Sequence, residues 1–169
     1  PDARLLPWAM ELWVAPADLP NAHDHMVGVW SSDVRGFDLS AVRPFAANNN
    51  QPATVEAGSL LAEPAMLGSV DLAAIEEPSF SGSATLTATR PGIAHGLAGF
   101  FAARLTGEVV LTNHPLRPTV SYRHALLPLA EPLELQAGDE LAVEVTSYDG
   151  REWSWTIEHA GERRGHATL

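Results

Sequence analysis

The sequence contains neither cysteine nor lysine. The absence of cysteine excludes a disulfide framework, a thiolate metal site and a cysteine nucleophile. All 10 basic residues are arginine, and they stand against 21 acidic residues, which gives a net charge of −11. Phosphate-backbone binders carry a basic face, so we expect no nucleic-acid partner. No apolar run approaches the roughly 20 residues of a membrane-spanning helix, so we expect a soluble, cytoplasmic chain without a membrane partner.

Two sequence patterns are also missing. The chain has neither a glycine-rich phosphate loop nor a Gly-x-Gly-x-x-Gly turn after a strand. It begins at Pro1 without the basic-then-apolar pattern of a signal peptide. We therefore expect a fragment or processed product that forms a single domain over residues 1–169, with any cofactor-binding domain outside this chain.

Apolar residues alternate with polar ones along much of the chain, which predicts an all-β fold. The clearest stretches are 141–146 and 153–158, separated by Asp149-Gly150. This dipeptide favours a type I′ turn, so we predict a hairpin that places Trp153 and Trp155 on one face. Short strands at even spacing indicate a barrel or barrel-like sandwich of antiparallel strands. The other predicted strands cover 5–14, 83–89, 95–105, 108–112, 122–127 and 133–135.

Prolines and polar runs suggest where these strands are interrupted. Pro7 predicts a first strand that is broken there or lies at a sheet edge, and Pro128 and Pro132 predict a turn between two strands. Residues 17–58 read as a loop or arm insertion near the N-terminus, with a helical turn at 38–42 and an exposed loop at 48–52. Its aromatic residues require burial against another surface: Trp30, Phe37 and Phe45.

The charged and histidine-containing motifs give no metal or catalytic site. His23 and His25 could face one side of a strand, but no third ligand is near and residues 21–25 are typical of a loop. His95 lies in an apolar run and is predicted to be a core histidine with one hydrogen-bonded nitrogen. Adjacent Glu76 and Glu77 indicate a solvated corner, since adjacent acids make a poor acid/base pair.

Several weak motifs follow one another in a recognisable order. They are Pro1-Asp2-Ala3-Arg4 before a strand ending in Val14-Ala15-Pro16, Trp30 before Gly36-Phe37-Asp38-Leu39-Ser40, Leu61 to Leu72, Arg90 to Phe101, Thr112-Asn113-His114-Pro115, and Leu127 to Glu140. This ordered set resembles the C-terminal β-barrel domain of protein arginine methyltransferases. The resemblance extends over nearly the whole chain.

The resemblance implies a division of labour between domains. In that family an N-terminal domain binds S-adenosylmethionine, the barrel covers the acceptor cleft, and an arm inserted near the start of the barrel mediates dimerisation. It therefore implies a bacterial S-adenosylmethionine-dependent parent enzyme, no cofactor and no activity in this fragment, the missing N-terminal domain as a partner, and a homodimer. Two alternatives stay open: a non-enzymatic β-barrel binding or assembly module, and a small cupin-like metal enzyme.

The resemblance also assigns a candidate acceptor site. The family's Thr-His-Trp loop falls on Val120-Ser121-Tyr122, counted back from residues 125–129. Tyr122 keeps an aromatic wall that can stack on a planar cation, whereas Val120 and Ser121 lack the family's hydroxyl and imidazole. We predict these three residues to bind substrate, with Tyr122 exposed at a barrel edge. The acceptor stays open, although the negative net charge would attract a cationic one.

Overall fold

A computed structural model describes residues 5–31, 33–117 and 120–168, so the Pro1–Arg4 motif lies outside the described residues. The strands are β1 (Ala9–Ala17), β2 (Asp33–Val34), β3 (Phe37–Asp38), β4 (Gln51–Ala53), β5 (Ala65–Asp71), β6 (Phe80–Thr87), β7 (Gly92–Arg104), β8 (Val110–Thr112), β9 (His124–Leu135), β10 (Glu140–Tyr148), β11 (Glu152–His159) and β12 (Glu162–Ala167). The helices are α1 (Pro20–Met26) and α2 (Arg43–Ala47), and 3₁₀ turns cover Gly28–Ser31, Ser40–Val42 and Ala57–Ser59.

The strands form two packed antiparallel sheets. The larger sheet has the order β4-β9-β7-β1-β5, with β8 also paired to β7, and the smaller sheet has the order β12-β11-β10-β6. The strands β2 and β3 form a separate small hairpin. The predicted all-β, barrel-like sandwich with a short helical insertion near its N-terminus is confirmed.

The main core lies between the two sheets. Trp155 and Ile157 of the smaller sheet are buried against a cluster that includes Leu97 and Leu129 of the larger sheet. The indole Nε1 of Trp155 donates a hydrogen bond to the carbonyl oxygen of Pro128 at 3.0 Å, which pairs the polar atom of this buried ring. A second cluster covers the opposite face of the larger sheet, so this sheet is packed on both faces.

The predicted C-terminal hairpin is confirmed in turn and register. Asp149 and Gly150 have φ angles of 54° and 73°, as the two central residues of a type I′ turn require. Trp155 is buried in the main core, and Trp153 packs against that core from the same strand face. The two tryptophans therefore share one side of β11.

One of the two predictions about proline was wrong, and for the other, at Pro7, the structure has the first of its two alternatives. The expected turn between Pro128 and Pro132 is not formed: both lie inside β9, whose pairing with β7 shifts register there, from Gly96 opposite Pro128 to Ala94 opposite Leu133. Within the described residues, β4 pairs with β9 only as far as Leu126, and a strand with an unpaired edge accepts proline where the nitrogen faces that edge. The first strand does begin after Pro7, but it lies between β5 and β7 and is not an edge strand.

The insertion at about 17–58 contains more regular structure than a loop. Residues 21–25, expected as a loop, belong to α1, whose first residue Pro20 already has the backbone angle a helix start needs. Gln51 to Ala53, expected as part of an exposed loop, form β4 in the larger sheet. The helical turn predicted at 38–42 is present at Ser40–Val42.

Two aromatic side chains of the insertion remain uncovered by the described part of the chain. Phe37 is 69% exposed and Phe45 is 61% exposed, and the neighbouring Val29 is also exposed. The expectation that the aromatic residues are buried is therefore not met within this chain for the two phenylalanines, while Trp30 is half-buried. We call residues 28–47, where the structure describes them, the arm.

Candidate functional site

The predicted substrate-binding triplet lines a cavity at the start of β9. The cavity has a volume of about 390 Å³ and is lined by residues 53–57, 113–115, 117 and 120–124. Val120 is half-buried and Ser121 is exposed. The structure thus brings Val120, Ser121 and Tyr122 together on one wall, with Pro118 and Thr119 outside the described residues.

Tyr122 presents its ring at the mouth of this cavity. The side chain is 58% exposed, and its ring meets Phe101 edge-on with 5.6 Å between the centroids. The predicted exposure at a barrel edge is confirmed. The packing against Phe101 fixes the ring while leaving surface for a ligand, so stacking on a planar cation is geometrically open to it.

Asn113 anchors the wall that carries the triplet. This buried side chain accepts a hydrogen bond at Oδ1 from the backbone N–H of Phe101 at 2.8 Å. Its Nδ2 donates to the carbonyl oxygen of Arg123 at 2.9 Å. The side-chain amide of Asn113 therefore links Phe101 in β7 to Arg123, which directly follows the triplet.

His124 links two segments that line the cavity, 53–57 and 113–117. Its Nδ1 accepts a hydrogen bond from the backbone N–H of Val55 at 3.0 Å, so this nitrogen carries no proton. The proton lies on Nε2, which donates to the carbonyl oxygen of Asn113 at 2.6 Å. The neutral ring thus links segments 53–57 and 113–117, and the cavity is organised before any ligand arrives.

His114 adds a second partly buried imidazole to the lining. Its Nδ1 accepts from the backbone N–H of Leu116 at 3.2 Å, and its ring packs at 5.3 Å from that of Phe100. Burial lowers the pKa of His114, and the positive charge of Arg117 lowers it further, whereas Glu63 opposes the shift. The folded structure therefore favours the neutral ring at this position.

The charge around the cavity differs in sign from that of the chain. Arg117 and Arg123 line it with exposed side chains, and Glu56 is the acidic residue in the same lining. The local balance of two arginines and one glutamate contrasts with the overall charge of −11. The expectation that negative charge attracts a cationic acceptor thus has no support from the lining itself.

A smaller apolar cavity of about 170 Å³ adjoins this site between the sheets. Phe101, Leu127 and Trp153 are among its lining residues. Asn113 and Arg123 line both cavities, so the two spaces adjoin at these residues.

Outside the cavity, His23 and His95 are buried and hydrogen-bonded to the backbone, and His25 is exposed to solvent. His23 is buried, and its Nε2 donates to the carbonyl oxygen of Leu129 at 2.7 Å, while His25 is exposed. His95 is buried as predicted, and its Nδ1 accepts from the backbone N–H of Leu19 at 3.3 Å. In the part of the chain that the structure describes, no three His, Asp or Glu side chains are grouped to hold a metal ion. Glu76 and Glu77 lie exposed between β5 and β6.

Sequence reasoning missed the residues that build the cavity around the triplet. Asn113 and His114 belong to one of the motifs given above, and no role was predicted for His124, Arg117 or Arg123. A usable signal was the density of polar residues at 112–117 and 121–124, which flank apolar strands. Since His124 contacts Val55 across 69 positions of sequence, the pairing itself required the fold.

Comparison with known proteins identifies the relatives of this chain. A profile described as "Arginine methyltransferase oligomerization subdomain" matches residues 10–159. Protein arginine N-methyltransferase 2 of Xenopus tropicalis is 22% identical, over 92% of this chain and 41% of its own length. Arginine N(omega)-methyltransferase of Streptomyces achromogenes subsp. streptozoticus is 29% identical, over 64% of this chain and 30% of its own length. The chain therefore spans less than half of each of these relatives.

Solved structures share the fold. The PRMT1 enzyme–prozyme heterotetrameric complex of Trypanosoma brucei, solved with AdoHcy, matches 96% of this chain and 57% of its own, with a TM-score of 0.79 and 18% identity. Protein arginine methyltransferase 10 of Arabidopsis thaliana matches 96% of this chain and 60% of its own, with a TM-score of 0.67 and 13% identity. At these identities the likeness concerns the fold alone. No helix among the described residues has the length and apolar character needed to cross a membrane.

Proposed function

This chain belongs to the arginine methyltransferase oligomerization subdomain family, and from that premise we propose that it is the acceptor-side barrel of an S-adenosylmethionine-dependent methyltransferase. The observation that carries the proposal is the cavity lined by Val120, Ser121 and Tyr122, whose walls are joined by Asn113 and His124. Methyl transfer depends on holding two reactants in one geometry, so a prebuilt wall contributes by orienting the acceptor.

Tyr122 is the residue of the triplet to which we assign direct contact with the acceptor. A guanidinium is a planar cation, and an exposed aromatic ring stabilises such a group by about 0.5–1 kcal/mol. Val120 and Ser121 then shape the wall without supplying an imidazole. We assign no catalytic residue to this chain, so the proton and the methyl group are handled by residues outside it.

We propose that the cofactor binds to a separate N-terminal domain of the parent protein. The sequence lacks the glycine-rich turn that would approach a nucleotide closely, and the two arginines of the cavity disfavour the positively charged sulfonium of S-adenosylmethionine. The residues present therefore do not fit the cofactor. Titration calorimetry of residues 1–169 should detect no S-adenosylmethionine binding, and micromolar affinity would contradict this division of labour.

We further propose that the arm mediates assembly of two copies. It exposes Val29, Phe37 and Phe45 on one short insertion, and exposed apolar groups of this kind mark interaction surfaces. The Trypanosoma brucei relative was solved as a heterotetramer, which supports an assembly role by analogy. A homodimer of the parent protein, located in the cytoplasm of a bacterium, is the arrangement we propose.

The reading frame ahead of residue 1 separates this function from the alternative. An encoded cofactor domain, together with methyl transfer from labelled S-adenosylmethionine by the complete product, supports the methyltransferase. A gene that encodes only the barrel supports a non-enzymatic binding or assembly module instead. The names of the two relatives differ in the acceptor: one specifies protein arginine and the other arginine. The identity of the acceptor therefore needs a separate argument.

A further inference from the structure

Two arginines at the cavity lack partners. Within the described residues, the guanidinium groups of Arg117 and Arg123 make no hydrogen bond or ion pair. Five other arginines do make such contacts: Arg43, Arg90, Arg104, Arg163 and Arg164. The exposed Arg151 makes no such contact among the described residues either, so what sets Arg117 and Arg123 apart is that both line the same cavity.

Their position gives the cavity a preference for anions. Among the described lining residues Glu56 carries the opposing charge, and Glu63 acts on His114 from outside the lining, whereas Arg117 lowers the pKa of that ring. Unlike charges attract, so the two arginines repel a cation and favour an anion. A guanidinium offers paired N–H donors whose spacing matches the two oxygens of a carboxylate.

We propose that Arg117 and Arg123 bind the carboxylate of the methyl acceptor, which is therefore a small guanidino amino acid with a free carboxylate and not an arginine within a protein chain. This inference rests on the proposed function, because it assigns an acceptor to the same cavity. The volume of about 390 Å³ lies at the lower end of the range of small-molecule sites. Repulsion by the arginines directs the cationic end of such an acceptor away from them and out of the barrel.

The test compares two ligands that differ only in the carboxylate. L-arginine and L-argininamide are titrated into the ¹⁵N-labelled chain, and the amide resonances of residues 53–57, 113–117 and 120–124 are followed. We expect L-arginine to shift these resonances and L-argininamide to bind at least about tenfold more weakly, the ratio for losing a charged hydrogen bond. The double variant Arg117→Met/Arg123→Met should lose the preference for L-arginine.

Arg151→Met is the matched control. Arg151 is an exposed arginine in the β10–β11 turn, on a segment that does not line the cavity, so its variant should bind L-arginine like the parent chain. The side chains of Arg117 and Arg123 are exposed and unpaired, so their removal should leave the melting temperature unchanged. Equal binding of both ligands, or an unaltered preference in the double variant, would overturn the inference.

A methyl-transfer assay on the complete protein separates this inference from the proposed function. Transfer to L-arginine supports both. Transfer to an arginine-containing peptide but not to L-arginine overturns the small acceptor and leaves the methyltransferase standing. Carboxylate-dependent binding of L-arginine without transfer to any guanidino compound supports the anion site and overturns the methyltransferase.

Discussion

Replacing Asn113 with alanine should loosen the cavity wall that carries Val120, Ser121 and Tyr122. The buried amide makes two hydrogen bonds, to the N–H of Phe101 at 2.8 Å and to the carbonyl oxygen of Arg123 at 2.9 Å. Alanine leaves both backbone groups without these partners. An unpaired buried group costs about 1–3 kcal/mol, and water can reach the neighbourhood of the exposed Arg123, so we expect a loss of about 2–3 kcal/mol in the free energy of unfolding.

Urea denaturation measures this loss, and hydrogen exchange locates it. Amides at 120–124 should exchange faster in Asn113→Ala, whereas those of the β10–β11 hairpin should be protected as before. The exposed Asn49→Ala should stay within about 0.5 kcal/mol of the parent chain.

A negative result would be informative. If Asn113→Ala matched Asn49→Ala in stability and left exchange at 120–124 unchanged, the amide would not anchor the wall. The cavity would then not be organised before a ligand binds.

Three further predictions concern stability and assembly. Burial lowers the pKa of His95, so near pH 6 the unfolded chain binds more protons at this residue than the folded chain does. The free energy of unfolding should therefore fall as the pH drops below about 6.5. It should fall less in His95→Gln. Gly96→Ala places a Cβ 2.5 Å from the carbonyl oxygen of Leu127 and should cost about 1–3 kcal/mol in urea denaturation. Phe37→Ser/Phe45→Ser should shift the proposed dimer of the parent protein to monomer in analytical ultracentrifugation.

Each of these has a matched control in the same chain. The exposed His25→Gln should retain the pH dependence of the parent chain. At Gly99 an added Cβ meets the side chain of Ala125 at 3.5 Å, an ordinary contact, so Gly99→Ala should be tolerated. Tyr148 is 72% exposed outside the arm, and Tyr148→Ser should leave the dimer intact. Equal effects in a variant and its control would refute the corresponding reasoning.

The fold was predictable where the signals were local. The β10–β11 hairpin follows from strict alternation on both sides of Asp149-Gly150, whose positive φ angles the structure contains. The strand β9 was mispredicted because the effect of a proline depends on the neighbours of its strand. The edge of β9 is unpaired beyond Leu126 because the partner strand β4 is short, and β4 lies about 70 positions earlier in the chain.

The site was predictable only in outline. An ordered set of motifs placed Val120, Ser121 and Tyr122 on one loop, and the structure puts them on one wall of a cavity. The residues that fix this wall act through hydrogen bonds between distant segments, which no local pattern encodes. The sign of the local charge was also beyond composition, because a net charge of −11 says nothing about which side chains meet at one cavity.

In the function proposed above, this barrel contributes a wall to the acceptor site of a methyltransferase. The most direct measurement is steady-state methyl transfer by the complete protein, comparing the parent sequence with Tyr122→Ala. We expect the KM for the acceptor to rise about two- to fivefold, the equivalent of about 0.5–1 kcal/mol for one exposed cation–aromatic contact, with the KM for S-adenosylmethionine unchanged. An unchanged acceptor KM, or a rise confined to the KM for S-adenosylmethionine, would contradict the claim.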